Sequence, residues 1–216
     1  MELMFKVILF DLDNTLYSEK CGVFDLIDRR MNDWLTSRLQ VPLEEVDHFR
    51  NKYFMKYGTT LRGLMLHHDV NPREFLDYVH DVPVRDFLSA DLDLRKTLEG
   101  IRSRKIIFTN SDYKHACRIL DALGVSDLFE KIFDIEAMNF IPKPNPESYQ
   151  LALEYLGTPA SECLLIDDME RNLIPARAIG MHTVLIGDGK DWEDPLHAIS
   201  NIKELSRILG QIAVSK

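Results

Sequence analysis

The stretch Val7-Ile8-Leu9-Phe10-Asp11-Leu12-Asp13-Asn14-Thr15-Leu16 decides the fold. A short apolar run that stops abruptly at acidic residues reads as a fully buried strand with both carboxylates at its C-terminal tip. Open α/β sheets place their ligands at such tips. Successive strand side chains point to opposite faces, but beyond the last ladder bond the chain is free to curl and bring Asp11 and Asp13 to one cavity. The pair then divides into a nucleophile and an acid/base, a division that requires environments pushing the two pKa values apart. Taken alone, the same letters also fit a strand end followed by an Asp-Asn turn and a helix N-cap.

Working outward, further apolar runs of strand length stand at Lys105-Ile106-Ile107-Phe108-Thr109, Cys163-Leu164-Leu165-Ile166-Asp167 and His182-Thr183-Val184-Leu185-Ile186, with a weaker one at Lys131-Ile132-Phe133-Asp134. Helical patterns lie beside them: 112–123, capped by Ser111 and stopped by Gly124, and 146–156, stopped by Gly157. A last helix over 201–211 places Ile202, Leu205, Ile208, Leu209 and Ile212 on one face, which packs on the sheet. Strands alternating with helices imply right-handed crossovers and a parallel sheet. Residues 18–82 break the alternation, with helical patterns at 24–39, 43–55 and 72–78 and no convincing strand. This block reads as an insertion, with hinges at Tyr17-Ser18 and Val82-Pro83-Val84.

The composition is that of an ordinary globular chain, and 216 residues suffice to bury a sizeable core. A net charge of −9, with no local run of Lys or Arg, argues against nucleic acid as a partner. An anionic substrate must then be attracted by a few local cations or a metal ion. Cys21, Cys117 and Cys163 are an odd number without metal-ligand spacing, which speaks against a disulfide framework or zinc site and for a reducing compartment. The N-terminus lacks the basic start and small-residue cleavage site of a secretory leader, and no apolar run approaches membrane-spanning length. The expected setting is the cytoplasm, away from membranes; oligomeric state is not legible.

Three more elements carry chemistry. Phe108-Thr109-Asn110-Ser111 ends an apolar strand in hydroxyl and amide groups just before a helix, whose free N–H groups and dipole favour a phosphate; a routine N-cap fits equally well. In Ile141-Pro142-Lys143-Pro144-Asn145-Pro146 the flanking prolines narrow the backbone and aim Lys143, a candidate clamp between a carboxylate and an incoming phosphate, although Pro-Lys-Pro is also a plain loop. Leu164-Leu165-Ile166-Asp167-Asp168 ends another buried strand in adjacent carboxylates, whose repulsion a hard divalent cation such as Mg²⁺ would relieve.

Asp11-x-Asp13-x-Thr15, Thr109, Lys143 and Asp167-Asp168, in that order, resemble the four motifs of the haloacid dehalogenase-like hydrolase superfamily over nearly the whole chain. The resemblance implies a Rossmann-like α/β core at 1–17 and 83–216, a parallel sheet flanked by helices, with an inserted all-helical cap at 18–82 that sets substrate specificity. Members resembling this chain are mostly Mg²⁺-dependent phosphatases, and the dehalogenase branch generally lacks the aspartate equivalent to Asp13. It makes Asp11 the nucleophile that forms an aspartyl-phosphate, and Asp13 the group that protonates the leaving alkoxide and then deprotonates the hydrolytic water. That role calls for an Asp13 pKa raised by a neighbouring carboxylate or by burial. Mg²⁺ would be held by a carboxylate oxygen of Asp11, the backbone carbonyl of Asp13 and Asp168, with Asp167 a direct or water-mediated ligand. Thr109 and the backbone N–H of Asn110 would bind phosphoryl oxygens, and Lys143 would neutralise charge between them and Asp11. Where many relatives carry a further acid, Glu170, Arg171 and Asn172 stand here, with Asn172 a candidate neutral outer group.

Within the cap, Lys56-Tyr57-Gly58-Thr59-Thr60-Leu61-Arg62-Gly63-Leu64 is rich in hydroxyls and glycine, which predicts a turn or interrupted helix facing the cleft. It resembles the corresponding segment of the pyrimidine 5'-nucleotidase branch, as does Asp77-Tyr78-Val79-His80-Asp81. That likeness implies that Thr59, Thr60 and Arg62 contact a nucleotide's sugar or base, with Tyr57 or Tyr78 stacking on it. The plainer alternative keeps Tyr57 and Leu64 as cap packing and Arg62 in a surface ion pair. His67, His68 and His80 are expected to be solvated or at the core edge, and Cys21 to be a small buried thiol. The expected activity is Mg²⁺-dependent hydrolysis of a small phosphomonoester, first a pyrimidine nucleoside 5'-monophosphate. Sugar-phosphate hydrolysis, phosphoglucomutase-type transfer and a non-catalytic nucleotide-binding role on the same fold are the alternatives.

Overall fold

β1 (Val7–Phe10) is the centre of the sheet, as its letters require: all four side chains are fully buried. The computed structural model describes residues 5–187 and 198–214, with side chains to residue 209. The first four residues of the N-terminus and the Ile212 side chain lie outside that description. β1 is flanked by β2 (Arg104–Phe108) and β4 (Cys163–Asp167), so that Leu9 pairs with Ile106 on one side and Leu165 on the other. Outward lie β3 (Lys131–Phe133), β5 (His182–Ile186) and β6 (Ala198–Ile199). The order is β3-β2-β1-β4-β5-β6 with every pair parallel. The direction of progression reverses between β1 and β4, and the crevice outside their carboxyl ends is where such a sheet accommodates ligands.

The chain between β1 and Val84 holds α1 (Val23–Leu39), α2 (Val46–Tyr57), α3 (Thr60–His67) and α4 (Pro72–Val79), with no strand among its residues. Leu43, expected inside α2, is exposed in a turn that Glu45 N–H closes on Pro42 O at 2.9 Å. After the block come α5 (Leu92–Glu99), α6 (Tyr113–Leu123), α7 (Pro146–Leu156), α8 (Glu170–Ala178) and α9 (Leu205–Val214), of which α6 packs on β3 and α8 on β4 and β5. On α9 and the turn before it, Ile202, Leu205 and Ile208 are buried. Two-residue β6 is too short for any alternation to show in the letters.

One cap differs from its sequence expectation, and the reason lies in the site. The N-cap of α6 is Asp112, whose carboxylate accepts the His115 N–H at 2.8 Å. Ser111, expected there, donates its hydroxyl to Asp13 Oδ2 at 2.7 Å instead.

Candidate active site

Asp11 extends the β1 ladder by one residue, its N–H donating to Ile166 O at 2.8 Å. Beyond it the chain curls: Thr15 and Leu16 N–H both donate to Leu12 O, and Asn14 takes a left-handed φ of 63°. The curl brings Asp11 and Asp13 to one cavity of about 440 Å³, which Thr109, Asn110, Ser111 and Asp168 also line.

Lys143 is fully buried, with Nζ 2.8 Å from Asp11 Oδ1 and 2.6 Å from Asp167 Oδ2. Burial works against its charge, but the two carboxylates outweigh burial and hold the ammonium firmly protonated. Its backbone is clamped by Asn110, whose side chain accepts Lys143 N–H at 2.9 Å and donates to Lys143 O at 3.1 Å. Asn110 thus aims the lysine as well as lining the cavity. Thr109 Oγ1 accepts the Ser111 N–H at 3.0 Å, which fixes the loop between β2 and α6.

Asp11, Asp167 and Asp168 can bring one carboxylate oxygen each within 4.8 Å of one another. Burial, reinforced by Asp167 and Asp168, pushes Asp11 well up despite Lys143. Burial followed by the charge of Asp167 pushes Asp168 up to about 7. Three crowded carboxylates against one ammonium leave an excess of negative charge in an all-oxygen donor set, and a hard divalent cation fits both the charge and the donors. Asp167 is already engaged by Lys143, by the Met169 N–H and by Asn172 Nδ2 at 2.9 and 3.1 Å. Asn172 therefore braces Asp167, and Asp11 and Asp168 are the freer donors.

Asp13 departs from its expected titration. Burial alone would raise it, but His115 first, then hydrogen bonds from Tyr17 and Ser111, hold it well below the ordinary carboxylate range. Tyr17 OH lies 2.5 Å and His115 Nε2 2.8 Å from its Oδ1. Sequence reading did not single out His115; its one signal is a place in the first turn of a helix that follows a strand tip. His80, expected at the solvent or the core edge, is buried, its Nδ1 bonded to Asp112 Oδ2. Cys21, expected buried, is half-buried near the first hinge.

The cap's predicted residues divide. Thr59 and Thr60 line the cavity, with Thr59 also capping α3 by accepting Arg62 N–H at 3.1 Å. Arg62 and Tyr57 are not part of the lining, and Tyr57 OH meets His67 Nε2 at 2.5 Å. Tyr78 lies under the Arg30 guanidinium at 4.4 Å and ties the returning hinge to α1. The cap's actual contribution is an apolar wall including Phe24, Ile27, Met31, Phe54 and Phe75, with Asp28, Arg50 and Asn51 as polar members. Arg50 Nη1 donates to Asn32 Oδ1 at 2.8 Å and its Nη2 to the Asp28 carboxylate. One arginine on a helix reads as a solvated face, which is why the sequence did not flag it.

The haloacid dehalogenase-like hydrolase family model matches residues 5–180. The chain is 30% identical to "Phosphate metabolism protein 8" of Saccharomyces cerevisiae over 83% of its own length and 61% of that protein's. It is 25% identical to "Glyceraldehyde 3-phosphate phosphatase" of Methanocaldococcus jannaschii, over 95% of this chain and 96% of the other. The solved HAD phosphatase of Thermococcus onnurineus shares the fold with a TM-score of 0.62 at 22% identity, covering 95% of this chain and 98% of that one. Strand-tip carboxylates, a buried lysine between them and a family match spanning these positions agree: the chain belongs to the haloacid dehalogenase-like hydrolases.

Proposed function

We propose that this protein is a Mg²⁺-dependent phosphomonoester hydrolase working through an aspartyl-phosphate on Asp11, with residues 18–82 as the cap over a core of 1–17 and 83–216. The observation that carries the reading is the buried Lys143 ammonium bridging Asp11 and Asp167 behind a cavity that Asp11 and Asp168 line and the helical block walls. The names of its curated relatives, a phosphatase among them, support it. Bound through Asp11, the Asp13 carbonyl and Asp168, the metal would supply positive charge to the phosphoryl oxygens. Asp11 attacks phosphorus as the ester P–O bond on the opposite side breaks and the alcohol oxygen departs; Lys143 and the loop at Thr109 and Asn110 balance the charge on the equatorial oxygens. Asp13 is ionised in the free protein; it takes the proton of a substrate bound as the phosphate monoanion, passes it to the leaving alkoxide, and then accepts the proton of the water that cleaves the aspartyl-phosphate. D11N should fold and bind Mg²⁺ weakly, yet release no phosphate from a panel of monophosphates; turnover in purified D11N would remove the nucleophile from Asp11.

For the substrate we propose a pyrimidine nucleoside 5'-monophosphate, the flat ring lying on the apolar cap wall with its polar edge toward Asp28, Arg50 and Asn51. Losing a hydrogen bond from a charged donor costs about 1.5–3 kcal/mol, so R50A should raise KM for UMP or CMP by about tenfold or more. p-Nitrophenyl phosphate, which lacks that edge, should change little, and R62A should affect neither. Equal losses on both substrates in R50A would move recognition elsewhere. Three free cysteines favour a reducing, cytoplasmic setting.

A further inference from the structure

We infer that His115 is a positioning residue for Asp13, held in place by His80 and Asp112 where the helical block returns to the core. The inference rests on the phosphatase reading above. His115 is fully buried in the first turn of α6, its Nε2 2.8 Å from Asp13 Oδ1. Its ring stacks on His80 with centroids 4.4 Å apart and planes inclined by 20°. A single carboxylate fixes both: Asp112 Oδ1 accepts the His115 N–H, while Asp112 Oδ2 bonds His80 Nδ1. Arg118 donates to the His80 carbonyl and anchors that end of the hinge.

Packing alone does not account for this histidine. Its Nδ1 is buried and finds no partner among the described residues, a cost that a methionine or leucine filling the same space would avoid. What imidazole adds is the Nε2 contact to Asp13. Together with Tyr17 on the same oxygen and Ser111 on the other, it fixes the plane of the carboxylate from two separate segments, the chain after β1 and the start of α6. A proton donor must lie in line with the departing oxygen, so fixing that plane has kinetic consequences.

The readout is leaving-group dependence. An alkoxide needs a proton as it departs, whereas p-nitrophenolate leaves without one, so a misplaced Asp13 lowers kcat/KM for the alkyl ester and spares the aryl ester. The full chain is assayed with Mg²⁺ on p-nitrophenyl phosphate and on UMP or glucose 6-phosphate, whichever alkyl ester the wild type cleaves faster. H115M fills the ring's volume without a donor and should lower the alkyl-to-aryl ratio by about tenfold or more. H115Q keeps an N–H near the same place and should restore the ratio to within about threefold of wild type. H80F keeps a ring in the stack but gives up the Asp112 bond, and should lower the ratio by about threefold. Both substrates are read in one sample, so the ratio does not depend on the folded fraction. If H115M does not fold, H80F decides. An unchanged ratio in H80F, or equal ratios in H115M and H115Q, would reduce His115 to core packing. Wild type inert toward both ester classes would instead overturn the phosphatase reading itself.

Discussion

Asp168 sits at the tip of β4 with its carboxyl pushed up to about 7 by burial and by Asp167. An aspartate in the unfolded chain titrates near 3.9, so between about pH 4 and 7 the native protein binds a proton that the unfolded chain does not. Stability from this group therefore falls as pH rises through that window and stays low above it. A divalent cation favours the ionised form and reverses the loss. Thermal unfolding in chelator and in Mg²⁺ should show a larger Mg²⁺-induced rise in Tm at pH 8 than at pH 5.5. D168N should raise the metal-free Tm at pH 8, by about 2–4 °C per kcal/mol recovered, and abolish the Mg²⁺ shift. A wild-type-sized shift in D168N would take Asp168 out of the metal set. Asp13 contributes in the opposite sense: held below its ordinary range, it adds stability above about pH 4 that is lost as pH falls further. That direction was not legible in the letters, because His115 and Ser111 reach Asp13 across 102 and 98 residues. The placement of Asp11 and Asp168 was legible because each closes or follows an apolar run whose length sets its place, and Lys143 stood out by its flanking prolines.

Among the elements, the turn between α2 and α3 shows both how far spacing carries and where it stops. The glycines and threonines predicted an interruption, and the chain breaks at Gly58 and Thr59. They could not say that Gly58, at φ +93°, lies against the loop bearing Lys143, where an added Cβ would stand 2.6 Å from Lys143 O. G58A should combine backbone strain of about 1–3 kcal/mol with displacement of that loop. The expected result is a Tm lowered by about 2–12 °C and a reduced kcat on every phosphomonoester. G157A is the control: its φ of +59° imposes comparable strain, but nothing lies within 4 Å, so Tm should fall while kcat holds. Matching kcat losses in the two variants would sever the turn from Lys143. The start of α6 was misread for a related reason: Ser111 is a good cap by type, but its hydroxyl is engaged by Asp13, and Asp112 stands next in line.

Across the whole molecule, the parallel order and the insertion after β1 follow from alternating strand and helix patterns and one long interval without strands. What the patterns leave out is the joint between the two parts. It includes Arg73 on Glu136 and Lys114 on Asp77, exposed pairs worth little each, and a buried contact at its root. Tyr17, just before the helical block, and His80, at its far end, flank the support of Asp13 from both sides. The block is therefore not a detachable cassette. Exchanging 18–82 for the corresponding segment of a relative would replace the apolar wall of the cavity and, in the same cut, carry away the ring stacked on His115. Grafts of the helical block in this scaffold should end before residue 80, so that the new wall inherits an Asp13 whose supports are undisturbed.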